Sequence, residues 1–214
     1  ELTFELQGLS QDIPLWIGVD QEGGRVARLR APFTEWPPMS ELGRHGKSDL
    51  AERFATALAD ELSAVGVTLD FAPVLDLYYE SGDPVIGDRA LSSDPAIVGR
   101  LGRVIIETLQ NSGVAACAKH FPGHGDANAD SHCELPVIEH SPERLREKEM
   151  VPFREAIAGE AAAVMGAHVL YPSLDEEHPA SLSRIIVDEV LRSELGHQGL
   201  VVTDDLEMGA ITES

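Results

Sequence analysis

The stretch Ala115-Ala-Cys-Ala-Lys-His-Phe-Pro-Gly-His-Gly-Asp126 decides the fold. Its first half is short and largely apolar, which predicts a buried strand over Ala115–His120. Its second half places glycines and a proline between polar residues, which predicts a shaped loop whose backbone approaches a ligand closely. A buried strand that runs straight into a polar loop is typical of parallel α/β sheets.

Four further runs share this character, and helical patterns separate most of them. The five predicted strands are Leu15–Val19, Val67–Ala72, Ala115–His120, Ala163–Val169 and Leu200–Thr203. The predicted helices are Asp49–Val65 with Ser48 as the cap, Pro95–Ser112, one that opens at Ser141-Pro-Glu, and Ser183–Leu195. The proline-rich segment Ala31–Ser40 is predicted to be an irregular loop.

Alternation of strands and helices leaves two architectures, a doubly wound sheet and a (β/α)8 barrel. Polar residues mark the ends of all five strands: Asp20, Asp76, Lys119, His120, His168 and Asp204. In a barrel these ends meet at one mouth, whereas a doubly wound sheet gathers only the loops at its switch point. We therefore predict the α/β class and a (β/α)8 TIM barrel.

Five units are visible, and a full barrel needs about 250 residues. We expect residues 1–214 to be a single catalytic barrel domain that is incomplete at both ends, with about three β/α units absent. The chain begins in what reads as the middle of a helix. The lack of a signal-peptide pattern is therefore weak support for the cytoplasmic location that we expect.

The formal net charge of −21 argues against nucleic acid as a partner, because a phosphate backbone needs a basic face. No apolar run is long enough to predict a membrane span. Two cysteines, Cys117 and Cys133, are too few for a disulfide framework, and the surroundings of Cys117 predict a buried thiol. The composition predicts no oligomeric state.

Beyond the central loop, Asp130-Ser-His132 places a carboxylate and an imidazole two positions apart. In an extended loop both side chains lie on one side, so Asp130 can orient His132 for proton transfer near neutral pH. A second interpretation is a metal site built from His120, His124, Asp126, Asp130 and His132, although no established metal-ligand spacing supports it. A third is a polar loop whose histidines only satisfy backbone groups.

Two more motifs follow predicted strands. In Thr203-Asp-Asp205 adjacent side chains point to opposite sides, so Asp204 can enter the mouth as a nucleophile while Asp205 caps the next helix. Capping of the next helix, with no role in catalysis, is the structural alternative.

The segment Asp20-Gln-Glu-Gly-Gly-Arg25 also follows a predicted strand, and its paired glycines predict a tight turn. Asp20 could then accept hydrogen bonds from a ligand while Arg25 or Arg28 donates them. A charged surface turn is the alternative, and Arg89 is equally a ligand contact or a salt-bridge residue.

Taken together the motifs resemble glycoside hydrolase family 3, in its bacterial β-N-acetylhexosaminidase branch of muropeptide-recycling enzymes. The resemblance runs in order through Val19–Arg25, Asp70–Asp76, Gly87–Arg89, Lys119–Asp126, Asp130–His132 and Val202–Asp205. It implies a barrel without metal or organic cofactor, with Asp204 as nucleophile and Asp130/His132 as acid/base pair. It also implies that Asp20, Arg28, Arg89, Lys119 and His120 hold the N-acetylglucosamine ring.

The leading hypothesis is therefore retaining exo-hydrolysis of a terminal β-linked N-acetylglucosamine, with a small saccharide as the only expected partner. A phosphorylase of the same family is the nearest rival, because a histidine acid/base repels phosphate less than a carboxylate does. A non-catalytic saccharide-binding barrel and a metal-dependent hydrolase are the remaining alternatives. The sequence leaves the aglycone open among muropeptides, chitin oligomers and glycoconjugates.

Overall fold

The computed structural model describes residues 2–9, 13–80, 85–127 and 135–212. Five strands form one parallel sheet in the order β1-β4-β5-β6-β7: β1 Gly18–Val19, β4 Leu69–Asp70, β5 Ala115–Phe121, β6 Ala163–Gly166 and β7 Leu200–Thr203. A two-stranded antiparallel hairpin, β2 Gln21–Gly23 and β3 Val26–Ala27, follows β1. All five predicted strands are confirmed: β1, β4 and β6 are shorter than predicted, β5 extends one residue further, and β7 has the predicted bounds.

The spatial order of the parallel strands follows their order in the chain, without a reversal. A doubly wound sheet reverses its strand order at a switch point, so the described sheet has the succession of a barrel instead. Strands β1 and β7 are the two edges of this five-stranded sheet. The α/β class and the parallel sheet are thus confirmed.

The helices cover one face of the sheet. They are α1 Leu2–Leu9, α2 Met39–His45, α3 Ser48–Ala64, α4 Pro95–Asn111, α5 Pro142–Arg144, α6 Val151–Ala158 and α7 Gly209–Thr212, with π-helical segments at Leu145–Glu149 and Ile185–Glu194 and a 3-10 turn at Gly87–Arg89. The main core packs α3, α4 and α6 against that face. A second, smaller apolar cluster, which includes Leu69, Cys117 and Met165, fills the other face. The inner strands β4, β5 and β6 are buried almost throughout, as in other parallel sheets, whereas the edge strands β1 and β7 are partly exposed.

The predicted helix starts are partly right. Ser141 accepts a hydrogen bond from the Arg144 N–H, and Pro142 occupies the first helical position, as expected. The prediction for Ser48 is wrong, because Ser48 is already helical and its hydroxyl accepts a hydrogen bond from Arg100. The predicted helix over 183–195 is present as the π-helical segment Ile185–Glu194. No helix in the described ranges has the length and apolar character to cross a membrane.

Candidate active site

One pocket of about 360 Å³ collects most of the predicted site residues at the carboxyl ends of the parallel strands. Its lining residues are Asp20, Glu22, Arg25, Val26, Arg28, Val85, Ile86, Arg89, Lys119, His120, His124, Asp204, Asp205 and Met208. The predicted Asp20, Arg28, Arg89, Lys119, His120 and Asp204 therefore lie together. Asp130 and His132 lie outside the described residues, so their pairing stays a prediction.

The hairpin after β1 positions the first acidic groups. Gly23 and Gly24 have φ angles of 103° and 56°, so the tight turn predicted from paired glycines is confirmed. Asp20 and Glu22, two residues apart, both reach Lys119 on β5: its Nζ lies 2.9 Å from Asp20 Oδ1 and 2.6 Å from Glu22 Oε1. The turn is thus part of a site and not a charged surface loop.

Glu22 is the most important group that the sequence analysis did not assign. Its side chain is buried, and Arg89 donates to it from Nε and Nη2 over 2.8 Å each, in a bidentate pair. Burial alone would raise the pKa of Glu22, but Arg89 and Lys119 outweigh burial and lower it to about 2. The same carboxylate holds the pKa of Lys119 above its usual value against burial. Both groups are therefore charged at neutral pH.

The arginines differ in how they meet the pocket. Arg89 lies at its base with a side chain 10% exposed, whereas Arg28 is 62% exposed and has Nη2 3.7 Å from Asp20 Oδ2. Arg25 instead binds Asp88 and the carbonyl oxygens of Val85 and Ile86. Arg28 is consequently better placed than Arg25 to donate to a ligand, and Arg89 is both a pocket residue and a salt-bridge residue.

Strand β5 brings its two polar residues to the same pocket. The Lys119–His120 peptide bond is cis, and both side chains line the pocket. His120 Nδ1 lies 2.6 Å from Oδ2 of the fully buried Asp76, and the backbone N–H of His124 donates to Asp76 Oδ1 over 2.7 Å. Burial would raise the pKa of Asp76, but His120 and His124 lower it below its usual value. Asp76 therefore orients the imidazole from behind.

Asp204 directly follows β7 and faces His120. Its Oδ2 lies 3.9 Å from His120 Nε2, and its Oδ1 accepts the N–H of Asp205 over 2.8 Å. Burial would raise the pKa of Asp204, but His120, the Asp205 N–H and Lys119 together lower it. The carboxylate is thus ionised at neutral pH and open to the pocket on its Oδ2 side. Asp205 also borders the pocket, and its Oδ1 accepts the N–H of Glu207. Glu207 lies in a turn before α7 begins at Gly209, so the prediction that Asp205 caps the next helix is not confirmed.

The first part of the loop after β5, up to residue 127, packs closely against neighbouring backbone. A Cβ on Gly125 would lie 1.9 Å from the Leu77 carbonyl oxygen, so glycine is required there. Asp126 Oδ2 lies 2.8 Å from His140 Nε2. Of the metal ligands considered above, His120, His124 and Asp126 are described, and within the described ranges no three His, Cys, Asp or Glu side chains are arranged to hold a metal ion.

A larger groove of about 950 Å³ lies between α2 and α3, with apolar walls that include Trp36, Leu42 and Phe54. It contains none of the predicted site residues. The chemistry-bearing residues therefore do not line this larger groove.

These features define a protein with parallel strands in sequential order, whose strand ends carry an ionised carboxylate beside a dense polar network. The sequence model of the glycosyl hydrolase family 3 N terminal domain matches residues 3–214. The chain belongs to this family.

Several known proteins that are similar to this chain are named as hexosaminidases. A beta-hexosaminidase from Thiobacillus denitrificans is 46% identical over 201 residues, covering 91% of this chain and 55% of the relative. A family 3 beta-N-acetylglucosaminidase from Paenibacillus sp. has a TM-score of 0.94 at 46% identity, covering 99% of this chain and 41% of that one. NagZ from Neisseria gonorrhoeae, solved with N-trifluoroacetyl-D-glucosamine, has a TM-score of 0.90 at 40% identity, covering 96% and 62%. The chain spans about half to two thirds of the curated relatives' length.

Proposed function

We propose that this chain is the catalytic barrel of a retaining, exo-acting β-N-acetylglucosaminidase. The observation that carries the proposal is the ionised Asp204 carboxylate, which ends a rigid strand and faces a pocket of polar groups. At about 360 Å³ the pocket lies near the lower end of the range of roughly 300–1,000 Å³ for small-ligand sites, which suits one terminal sugar. In the whole protein the sheet closes into a (β/α)8 barrel.

In the proposed reaction Asp204 Oδ2 attacks the anomeric carbon while the glycosidic oxygen takes a proton from His132 and leaves. The product of this step is a covalent glycosyl-enzyme. His132 then removes a proton from water, whose oxygen attacks the same carbon and releases Asp204 as a carboxylate. Asp130 orients His132 through both steps. Two displacements at one carbon retain the β configuration.

The sugar hydroxyls are bound by the polar network around Lys119. Asp20 accepts hydrogen bonds, Arg28 and Lys119 donate them, and His120 reaches the ring from the Asp204 side. Arg89 acts from the base of the pocket, where it fixes Glu22 and through it Lys119. The substrates we propose are peptidoglycan-derived or chitin-like saccharides, supported by the names of the relatives and by the N-acyl glucosamine bound to the Neisseria structure.

The test is the Asp204→Ala variant with a chromogenic β-N-acetylglucosaminide. We expect turnover to fall by at least roughly a thousandfold, because the covalent step loses its nucleophile, while binding of free N-acetylglucosamine persists. Asp94→Asn is the matched control: Asp94 caps α4 by accepting the Ala96 N–H, and asparagine caps as well. Turnover by Asp204→Ala at the parent rate would refute the nucleophile.

Three further measurements separate the rival activities. A rate that depends on phosphate and yields a sugar phosphate would replace hydrolysis by phosphorolysis. Loss of activity on treatment with a chelator would instead favour a metal-dependent hydrolase. Binding of the sugar without any product, even at high protein concentration, would leave a saccharide-binding barrel.

A further inference from the structure

The turn that carries Asp204 is held by hydrogen bonds that restrict its carboxylate. The Asp205 N–H donates to Asp204 Oδ1 over 2.8 Å, and the Asp204 N–H donates to the Gly166 carbonyl oxygen on β6 over 3.3 Å. Oδ2 remains directed toward His120. The position of Oδ2 therefore depends on how the Asp204–Asp205 backbone is fixed.

His168, which follows β6, contacts this backbone from behind the pocket. Its Nε2 lies 3.0 Å from the Asp205 carbonyl oxygen, and its Nδ1 lies 2.6 Å from Ser181 Oγ. A carbonyl oxygen only accepts, so Nε2 carries the hydrogen, and in the neutral ring Nδ1 accepts the Ser181 hydroxyl. His168 is 1% exposed and is absent from the pocket lining. Within the described residues, its hydrogen bond to the site is made through Asp205.

Ser181 is built into the same region of the fold. Its N–H donates to the Ala167 carbonyl oxygen over 3.0 Å, and a Cβ on Gly166 would lie 3.0 Å from the Ser181 Cα. The small residue at 166 thus lets the Ser181 segment approach β6. Gly166 also pairs with Thr203, directly before Asp204, so the serine, the imidazole and the turn form one contiguous brace.

We propose that His168, oriented by Ser181, is a positioning residue that sets the Asp204 carboxylate for attack through its hydrogen bond to the Asp205 carbonyl oxygen. The inference rests on the proposed function. Its physical basis is that a nucleophile misplaced by about 1 Å can lose roughly a hundredfold in rate. Substrate affinity does not depend on the brace, because His168 does not reach the pocket.

Two isosteric substitutions separate the two hydrogen bonds of His168. A glutamine amide nitrogen reaches the place of the imidazole Nε2 and can still donate to Asp205, whereas an asparagine amide reaches only the place of Nδ1. We expect His168→Gln to keep kcat within about fivefold of the parent and His168→Asn to lose roughly a hundredfold. KM and the dissociation constant for N-acetylglucosamine should stay unchanged in both.

His197 supplies the matched control at the opposite end of β7. It is buried, and its Nε2 lies 3.0 Å from the Leu200 carbonyl oxygen, so it makes the same kind of bond remote from Asp204. His197→Asn should lower the melting temperature as His168→Asn does, with kcat per folded molecule unchanged. Equal kcat for His168→Gln and His168→Asn, or an equal loss in His197→Asn, would overturn the inference.

A readout without turnover tests the hydrogen bonds of the brace independently of the proposed function. Nitrogen-15 NMR of the imidazoles in the ligand-free protein should show a hydrogen on Nε2 of His168. Hydrogen on Nδ1 alone would overturn the brace as described. If the parent hydrolyses no N-acetylglucosaminide, the proposed function and the role of His168 fail together. If the parent turns over and His168→Asn does too, only the role of His168 fails.

Discussion

The two sides of the pocket balance their charges in different ways. On the side of Glu22, Lys119 and Arg89, the buried charges are neutralised by partners within 2.6–2.8 Å. On the side of Asp204, the free carboxylate oxygen lies 3.9 Å from His120 Nε2. A closely paired network is preorganised to bind a polar ligand, whereas a carboxylate without a tight ion pair keeps a lone pair available for attack. The difference agrees with the proposal that one side of the pocket binds the sugar and the other carries the nucleophile.

The substitution Glu22→Gln should disrupt the ion-paired side of the pocket most strongly, because it leaves Arg89 and Lys119 without the anion that they share. We expect the free energy of unfolding at pH 7 to fall by about 3 kcal/mol. The folded pKa of Glu22 is about 2 against a usual 4.5, so its contribution is present above about pH 4.5 and is lost as the pH falls toward about 2.

Urea unfolding at a series of pH values checks this prediction. As the pH falls through that acidic range, the free energy of unfolding should decrease less in the variant than in the parent. Some decrease should remain in both proteins, because Asp76 and Asp204 also have lowered pKa values. Identical pH dependence in the two proteins would contradict the pairing of Glu22.

On the other side, Asp76→Asn tests the orientation of His120 without touching the substrate. Asparagine removes the charged acceptor of the His120 Nδ1 hydrogen, a bond worth about 1.5–3 kcal/mol, so kcat should fall by roughly 10- to 100-fold. Asp175→Asn is the control, because Asp175 is a buried carboxylate that accepts from the Ser183 hydroxyl away from the pocket. Equal kcat in Asp76→Asn and the parent would show that His120 needs no support.

The smallest effect is expected at Asp70, a second buried carboxyl group near Lys119. Its Oδ1 accepts the Gln21 N–H over 3.0 Å, while Oδ2 has no hydrogen-bond partner in the described part of the chain. Burial raises the pKa of Asp70 well above its usual value. This group therefore favours the folded state at low pH, and its contribution declines as the pH rises above its ordinary pKa.

Asp70→Asn should remove that decline and leave the free energy of unfolding at pH 7 unchanged or higher by up to about 1 kcal/mol. Denaturant titrations at pH 5 and pH 7 check it. A loss of several kcal/mol at pH 7 would mean that the ionised form of Asp70 is needed, as it is for Glu22.

The residues that the sequence predicted well share a simple signal. A polar side chain directly after a β-branched or apolar run marks a strand end, and this placed Asp20, Lys119, His120 and Asp204 in one pocket. The pattern also located β5 and its loop, because glycine and proline interrupt the strand. Local patterns suffice where the chemistry follows from strand direction.

The sequence analysis missed or misassigned other residues because their roles depend on partners that are distant in the sequence. Glu22 sits in a charged turn that resembles a surface loop. Arg89 from the 3-10 turn and Lys119 from β5 pair with it and make it a buried anion. The spacing of Asp20 and Glu22 on one side of an extended segment was the available signal. Ser48 failed as a cap for the same reason, since Arg100 on the neighbouring helix binds its hydroxyl.

Trapping the covalent intermediate tests the central claim most directly. The protein is incubated with a fluorinated N-acetylglucosaminide that forms the glycosyl-enzyme faster than water releases it, digested, and analysed by mass spectrometry. The account predicts one sugar adduct on the peptide that contains Asp204, and none in Asp204→Ala. Accumulated hydrolysis without any adduct, or an adduct on another carboxylate, would contradict it.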